Sequence, residues 1–527
     1  MRSSVAKKII TPYSLKIGVL GAGTMGSGIA LALLLSDLPV TLYDVSADML
    51  DRAREYIHKH LQRKGKEASL AELQLTTDLT DLGSSDILIE AVPEKLGLKQ
   101  DLFARLDALC PPPAILATNT STLSVTAIAA ATSSPERVAG MHFFNPASLL
   151  PLVEVVRGAG TSPETLQALL DLAGVIGKTP VVASDTPGFI VNRVARPFYG
   201  EALRLLSERV ATHAQIDQIV RLGAGFRMGP FELMDLIGID VNLAAMQSMY
   251  EQTFGEPRYR PHPIQSRMVQ QGALGRKTGR GFYHYDPPGP GDETRPPELV
   301  RRSGQVNLEP GSWAPGLAQL LRQGGYQLVD MNFSRTSEPV MGIAPASRSE
   351  DLRKQLFELD QELPATTPVL CQCVDVTLIE AAAWMRHPER LVGFDGLFFA
   401  RGRAATLVAS PTLTPQARLA VEGFVSGLGR LPIWIEDSPA LVLPRLLAML
   451  ANEAAFAVQE GVAEADTIDL AMQLGVNYPI GPLAWAGEIG YAQVIAILDH
   501  LRAEYGEDRY RLAPLLRRWA RLGRVNA

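Results

Sequence analysis

Residues 16–26 read KIGVLGAGTMG, and residues 39–44 read PVTLYD. The first stretch is an apolar run that stops at Gly21 and continues as G-x-G-x-x-G through Gly23 and Gly26. Three glycines so spaced carry information only where a strand leads in and a helix leads out. Here residues 16–20 read as a buried strand and residues 26–35 as a helix. Gly21 permits a tight turn, Gly23 leaves room for a pyrophosphate against the backbone, and Gly26 lets the helix close on the strand. Phosphates then meet free N–H groups and the positive end of a helix dipole. Residues 39–43 form a second strand, ended by Asp44. A carboxylate there accepts hydrogen bonds from the adenosine ribose hydroxyls and repels a 2′-phosphate, so the expected cofactor is NAD rather than NADP. A solvated turn aspartate is the blander reading of Asp44.

Further short apolar strands follow at residues 86–91 (DILIEA) and 114–117 (AILA), with helical patterns between them. That is βαβ order and predicts a parallel sheet. The texture changes at Asp185. Thr186-Pro187-Gly188 is a junction, with Pro suited to the first turn of a helix, and the pattern stays helical to about residue 266. Residues 286–297 (DPPGPGDETRPP) read as a linker.

A chain of 527 residues is too long for one core. Its net charge of −6 and lack of a basic run exclude a general nucleic-acid binder. Three cysteines cannot build a disulfide framework and fit a reducing cytoplasm. Cys371-Gln372-Cys373 has no clustered His or Cys nearby and reads as buried strand, not a metal site. The first 16 residues lack the apolar core of a secretory signal, although their basic and Ser-bearing start leaves an organelle address as the minority reading. The longest apolar run, residues 29–35, is too short to span a bilayer.

Much of the sequence occurs twice. Asp185, Glu201 and Asp217 recur 252 residues on as Asp437, Glu453 and Asp469, and Gly229-Pro230 and Gly238 recur as Gly481-Pro482 and Gly490. Arg258-Tyr259-Arg260 recurs as Arg509-Tyr510-Arg511, and Pro135-Glu136-Arg137 as Pro388-Glu389-Arg390. Shared Gly, Pro and charged positions at one offset mark two copies of one two-domain unit. The expected division is an α/β dinucleotide-binding domain over residues 14–185, an all-α domain over 186–285 and a linker over 286–310. A degenerate, truncated α/β domain over 311–437 and a second helical domain over 438–527 complete it.

Polar groups concentrate in three segments: Asn119-Thr120-Ser121-Thr122; Met141-His142-Phe143-Phe144-Asn145-Pro146 with Val153-Glu154-Val155; and residues 185–193, DTPGFIVNR. A lone His among apolar residues is usually a satisfied core histidine. A Glu flanked by valines on a strand is stranger, because burying an unpaired carboxylate costs several kcal/mol. His142 is the candidate partner. Such a pair fixes the imidazole tautomer and suits it to take a hydroxyl proton near neutral pH. A helix starting near Pro187 places Asn192 little more than one turn in, at the domain junction. Lys59, Arg63 and Lys66 follow i, i+4, i+7 spacing, which on one helix gives one basic face. It reads equally as a clamp for phosphates or as a solvated surface.

Taken together, GAGTMG, NTSTLSVT, GMHFFNP, LVEVV, DTPGFIVNR and GRKTGRGFY (residues 275–283) resemble the 3-hydroxyacyl-CoA dehydrogenase family over residues 14–285. The second copy looks like the diverged unit of its longer bacterial members. The resemblance implies a Rossmann-type domain and NAD-dependent oxidation of a 3-hydroxyacyl-CoA, in fatty-acid, butanoate or phenylacetate breakdown. It implies His142 as general base, Glu154 as its partner, Ser121 on the substrate oxygen and Asn192 at the reacting carbonyl. Glu94, Lys99 and Asn119 would line the cofactor site with Gly21, Gly23, Gly26 and Asp44. Lys59 and Lys66 would meet the coenzyme A phosphates. No metal is expected.

Copy two lacks G-x-G-x-x-G. Asn119-Thr120-Ser121 meets Gln372-Cys373-Val374, His142 meets Asp395, Glu154 meets Thr406 and Asn192 meets Pro444. Every expected catalytic side chain is replaced, so the second half is expected to be structural. Its helical domain would pack with the first as a pseudo-dimer within one chain, with further homo-oligomers open. Two other readings stand beside the enzyme: a non-catalytic nucleotide-binding scaffold, and a β-hydroxyacid dehydrogenase with a catalytic Lys. The segment after Pro187 offers Asn192 and Arg193 but no Lys.

Overall fold

A computed structural model describes residues 15–285, 295–308, 314–329, 339–346 and 349–523. Copy one opens with β1 (Ile17–Leu20), β2 (Val40–Tyr43), β3 (Leu73–Thr76), β4 (Ile87–Glu90) and β5 (Ile115–Thr118). It continues with β6 (Val138–Phe143), β7 (Leu152–Arg157) and β8 (Thr179–Ser184). They form one sheet in the order β3-β2-β1-β4-β5-β6-β7-β8. The first six run parallel, the order expected of a doubly wound dinucleotide fold. β7 returns antiparallel to β6, and β8 runs parallel to β7. Helices such as Thr24–Leu35 and Pro163–Val175 supply the apolar side chains that bury the sheet. β3 has an intermediate, mixed burial pattern and no clean sequence signal.

The second sheet holds β9 (Gln305–Leu308), β10 (Gln327–Val329), β11 (Met341–Ala344) and β12 (Val369–Gln372). β13 (Leu391–Phe394), β14 (Ala404–Ala409) and β15 (Leu431–Ile435) complete it, in the order β10-β9-β11-β12-β13-β14-β15. This corrects the expected boundary at residue 311. β9 falls inside the segment read as linker, yet it is the counterpart of β1, buried throughout and paired on both sides. A four-residue strand reading QVNL, with two polar side chains, has no apolar run to announce it. Copy two therefore retains more of its α/β domain than the sequence suggests. The first part of the expected linker, residues 286–294, and residues 309–313 lie outside the described residues. Cys371 and Gln372 on β12, and Cys373 just after it, are buried. No helix among the described residues is long and apolar enough to cross a membrane.

The chain divides into two compact units that do not follow the repeat. Among the described residues, 460–476, from copy two, fold with those up to Arg193. The other described residues, within 194–459 and from 477 on, make the second unit.

In that second unit, the helices Arg196–Ser207 and Leu443–Gln459, one from each copy, pack together. Buried ion pairs cross between the copies. Glu201 meets Arg445 at 2.9 Å and Arg509 at 3.0 Å, and accepts from the Tyr510 hydroxyl at 3.0 Å. In the reciprocal arrangement, Glu453 meets Arg258 at 2.7 Å and accepts from the Tyr259 hydroxyl at 2.5 Å. Burying a carboxylate this deeply costs several kcal/mol unless a guanidinium group faces it. Burial alone would lower the pKa of Arg445, but the Glu201 charge, with Tyr510 and Glu208, raises it well above its ordinary value.

Candidate active site

The glycine loop is built as its spacing predicts. Gly21 has φ of +98°, and a Cβ there would stand 2.7 Å from the Ala91 carbonyl oxygen. A Cβ on Gly26 would meet the Gly21 carbonyl oxygen at 1.7 Å, so the helix can approach the strand only without a side chain. A Cβ on Gly23 would meet nothing within 4 Å. That bare backbone at a helix N-terminus fits the pyrophosphate of NAD. Asp44 ends β2 beside the loop, accepting from the N–H of Ala22 at 2.8 Å and of Ser46 at 2.9 Å. Its carboxylate is thus fixed beside the glycine loop and stays partly exposed.

Across the β6–β7 hairpin, His142 and Glu154 stand directly opposite each other. Cross-strand neighbours share a face of the sheet, and His142 Nδ1 lies 2.7 Å from Glu154 Oε2. Glu154 is fully buried and His142 is 5 % exposed. The other carboxylate oxygen accepts the N–H groups of Ile190 and Val191 at 3.0 and 2.9 Å.

Those two donors are free because Gly188 and Phe189 have φ of +77° and +47°. The first regular helix begins at Val191 rather than near Pro187, which corrects the expected start. A left-handed pair cannot continue a right-handed helix, and holding Phe189 there costs about 1–3 kcal/mol. The bend turns two orphan N–H groups toward Glu154 and brings Asn192 into the first helical turn. Asn192 Nδ2 donates to the Ser121 carbonyl at 3.3 Å. His142, Glu154, Ser121 and Asn192 thus share one compact unit, whose border falls at Arg193. With Nδ1 held by Glu154, Nε2 is the imidazole nitrogen left for a reacting hydroxyl. Phe144 and Phe189 fix the ring plane, with centroids 4.6 and 5.9 Å away.

Asn119 stitches β5 to β6, its Oδ1 accepting the Phe143 N–H at 2.8 Å. Glu94 gathers the loop after β5. Its Oε1 accepts from the Thr120 hydroxyl at 2.6 Å and from the N–H of Ser121 and Thr122 at 2.9 and 3.1 Å. Burial alone would raise its pKa, but the Lys99 charge and these donors outweigh that and hold the carboxyl below the usual range. Lys99 is only 1 % exposed, 2.6 Å from Glu90 and 3.2 Å from Glu94. It supports the site from behind Glu94, which remains 35 % exposed. Glu90 is the residue the sequence analysis missed. It carries the same signal as Glu154, a carboxylate on an otherwise apolar strand.

The basic face is not formed as expected. Lys59 and Arg63 are exposed one turn apart, but their helix ends at Arg63. Lys66 lies beyond it, its ammonium donating to the Leu35 carbonyl at 2.8 Å and pairing with Asp37 at 2.7 Å. Gly65, with φ of +67°, turns the chain between them.

Asp185 proves structural. Its carboxylate takes the Ser124 hydroxyl at 2.8 Å and the N–H groups of Val125 and Thr126 at 3.0 and 2.7 Å, capping the Val125–Ala129 helix. Asp437 does the same for Leu378 and Ile379 at 3.0 and 2.8 Å.

Residues 16–186 match the family model described as "3-hydroxyacyl-CoA dehydrogenase, NAD binding domain". The C-terminal domain model of the same family matches twice, at residues 188–285 and 441–527. The chain is 38% identical to 3-hydroxyadipyl-CoA dehydrogenase of Escherichia coli K12 over 96% of its length and 97% of that protein. It is 43% identical to a probable 3-hydroxybutyryl-CoA dehydrogenase of Deinococcus radiodurans over 51% of this chain and all of that one. A crystal structure of 3-hydroxybutyryl-CoA dehydrogenase from Escherichia coli K12 superposes with a TM-score of 0.79 at 36% identity, covering 96% of this chain and 98% of the other.

Proposed function

Because the chain belongs to the 3-hydroxyacyl-CoA dehydrogenase family of NAD-dependent oxidoreductases, we propose that it converts (S)-3-hydroxyacyl-CoA to 3-oxoacyl-CoA with His142 as general base. The observation that carries this reading is the buried His142–Glu154 contact at 2.7 Å. Glu154 fixes the tautomer with Nε2 free to accept the proton of the 3-hydroxyl, and its negative charge stabilises the imidazolium that forms. Gly21, Gly23, Gly26 and Asp44 would hold NAD, which would supply the hydride acceptor for C3. Ser121 and Asn192, already joined, hold the substrate oxygen. Glu94 and Asn119 fix the loop that presents Ser121, with Lys99 behind them. Lys59 and Arg63, exposed one turn apart, would meet coenzyme A phosphates. An acyl chain degraded two carbons at a time, or one derived from an aromatic acid, fits the chemistry.

The second copy serves as the partner of an intramolecular pseudo-dimer. The reciprocal Glu201–Arg509 and Glu453–Arg258 pairs support this, because an isologous contact repeats each interaction with the roles exchanged. The decisive measurement is NADH-linked reduction of acetoacetyl-CoA. Activity is expected with NADH and little with NADPH, and His142→Gln should lose about 10²–10⁴-fold in rate. Full activity in that variant would remove the base assignment.

A further inference from the structure

We propose that the Ala465–Val476 helix, part of copy two by sequence, is a wall of copy one's active site, and that Gly475 is a positioning residue for the His142–Glu154 pair. This rests on the reading of that pair as the catalytic base. Residues 460–476 fold into the unit that holds the site. The helix packs on β7, which carries Glu154, and on β8. Its lead-in is tied down beside the site. The Ser184 N–H donates to the Val462 carbonyl at 2.9 Å and the Ser184 hydroxyl to the Gly461 carbonyl at 2.8 Å. Glu460 pairs at 2.7 Å with Arg193, the residue after Asn192.

At the other end of the helix, Gly475 abuts the shell of the constellation. A Cβ there would stand 2.8 Å from Leu152 Cδ2, 3.1 Å from Val191 Cγ2 and 3.6 Å from Phe144 Cε1. Each neighbour is one step from the chemistry. Leu152 opens β7 two residues before Glu154, Val191 gives its N–H to Glu154, and Phe144 lies against the His142 ring. Gly475 is absent from the residues with positive φ, so its backbone does not require glycine. A helical glycine costs about 1 kcal/mol relative to alanine; here it supplies space. A leucine tip can swing aside. Val191 is buried and β-branched, and its χ1 is stiff in a helix. A methyl at 475 therefore displaces the Val191 backbone, and with it a donor that fixes Glu154.

The repeat supplies the control. Gly223, 252 residues earlier, has a Cβ position 2.8 Å from Leu443 Cδ2, and Leu443 is the counterpart of Val191. The counterpart contact is kept, although Leu443 is the one side chain that Cβ would meet within 4 Å, and no His–Glu pair lies behind it. The test compares Gly475→Ala with Gly223→Ala in the full chain. Gly475→Ala should lower kcat about tenfold, since sub-ångström misplacement of catalytic groups is costly, with KM for NADH changed less than twofold. Gly223→Ala should keep wild-type kcat and pH profile even where its Tm falls equally. Adding Val191→Ala to Gly475→Ala opens the space, folds even where the single variant does not, and should return kcat to that of Val191→Ala alone. Wild-type kcat in Gly475→Ala, or parallel losses in the two glycine variants, overturns the proposal while leaving the base assignment intact. An active His142→Gln overturns the base assignment itself.

Discussion

Where copy one sets His142 opposite Glu154, copy two sets Asp395 beside Thr406. The Asp395 N–H reaches the Thr406 carbonyl at 3.3 Å, so the strand geometry is kept while the side chains are not. Asp395 now caps a short helix through the Phe398 N–H at 3.4 Å. Gln372, in the place of Asn119, is fully buried, and its amide has no hydrogen-bond partner among the described residues. Other features survive in both halves. Asp185 and Asp437 cap equivalent helices. Arg137 and Arg390 pair with Asp107 and Asp360 at 2.7 and 2.8 Å. Gly188-Phe189 and Ala440-Leu441 hold the same left-handed bend. The difference separates groups that build the unit from groups with no structural duty strong enough to keep them.

The comparison can be broken by substituting matched positions. Glu154→Gln should cost about 10²–10⁴-fold in acetoacetyl-CoA reduction, whereas Thr406→Ala should leave the rate unchanged. A loss in both would mean that copy two takes part in the chemistry. Next in size is the pseudo-dimer. Removing one member of a buried ion pair strands the other charge and costs about 3–5 kcal/mol. Glu201→Gln and Glu453→Gln should therefore each lower urea-unfolding stability by an amount of that order. Equal, small losses in both would argue against a reciprocal interface.

The smallest effect sharpens the contrast at Asp395. Burial pushes its carboxyl up to about 7, partly opposed by the Phe398 and Leu397 N–H groups. A folded-state value above the unfolded one favours the native protein at low pH, and that contribution is lost as pH rises from about 4 through 7. Asp395→Asn keeps the helix cap but cannot ionise. It should gain stability relative to the parent chain between pH 5 and pH 8, measured by thermal unfolding, with no change in NADH-linked rate. A constant difference across that range would show that the carboxyl does not titrate there.

Much of copy one could be read in the sequence because its signals are local. Gly21, Gly23, Gly26 and Asp44 stand within one βαβ unit, where steric demand and charge prescribe the residue type. Glu154 was visible as a carboxylate that apolar neighbours could not satisfy. Glu90 was equally visible and went unread. Lys66 was misplaced because spacing assumes a continuous helix, and the chain turns at Gly65. The start near Pro187 failed because nothing local forces Phe189 into a left-handed conformation.

The sequence by itself determined the cofactor loop, the twofold repetition, the replacement of the polar site residues in the second copy and the pairing of His142 with Glu154. Each follows from neighbours in the chain or from comparing one half with the other. Only the tertiary structure decided that β9 begins copy two's sheet, that Glu154 anchors the Val191 turn, and that residues 460–476 fold with copy one. These are contacts between segments as far apart in the chain as Phe144 and Gly475. They depend on which apolar faces find each other in space, and no periodicity along the chain records that choice.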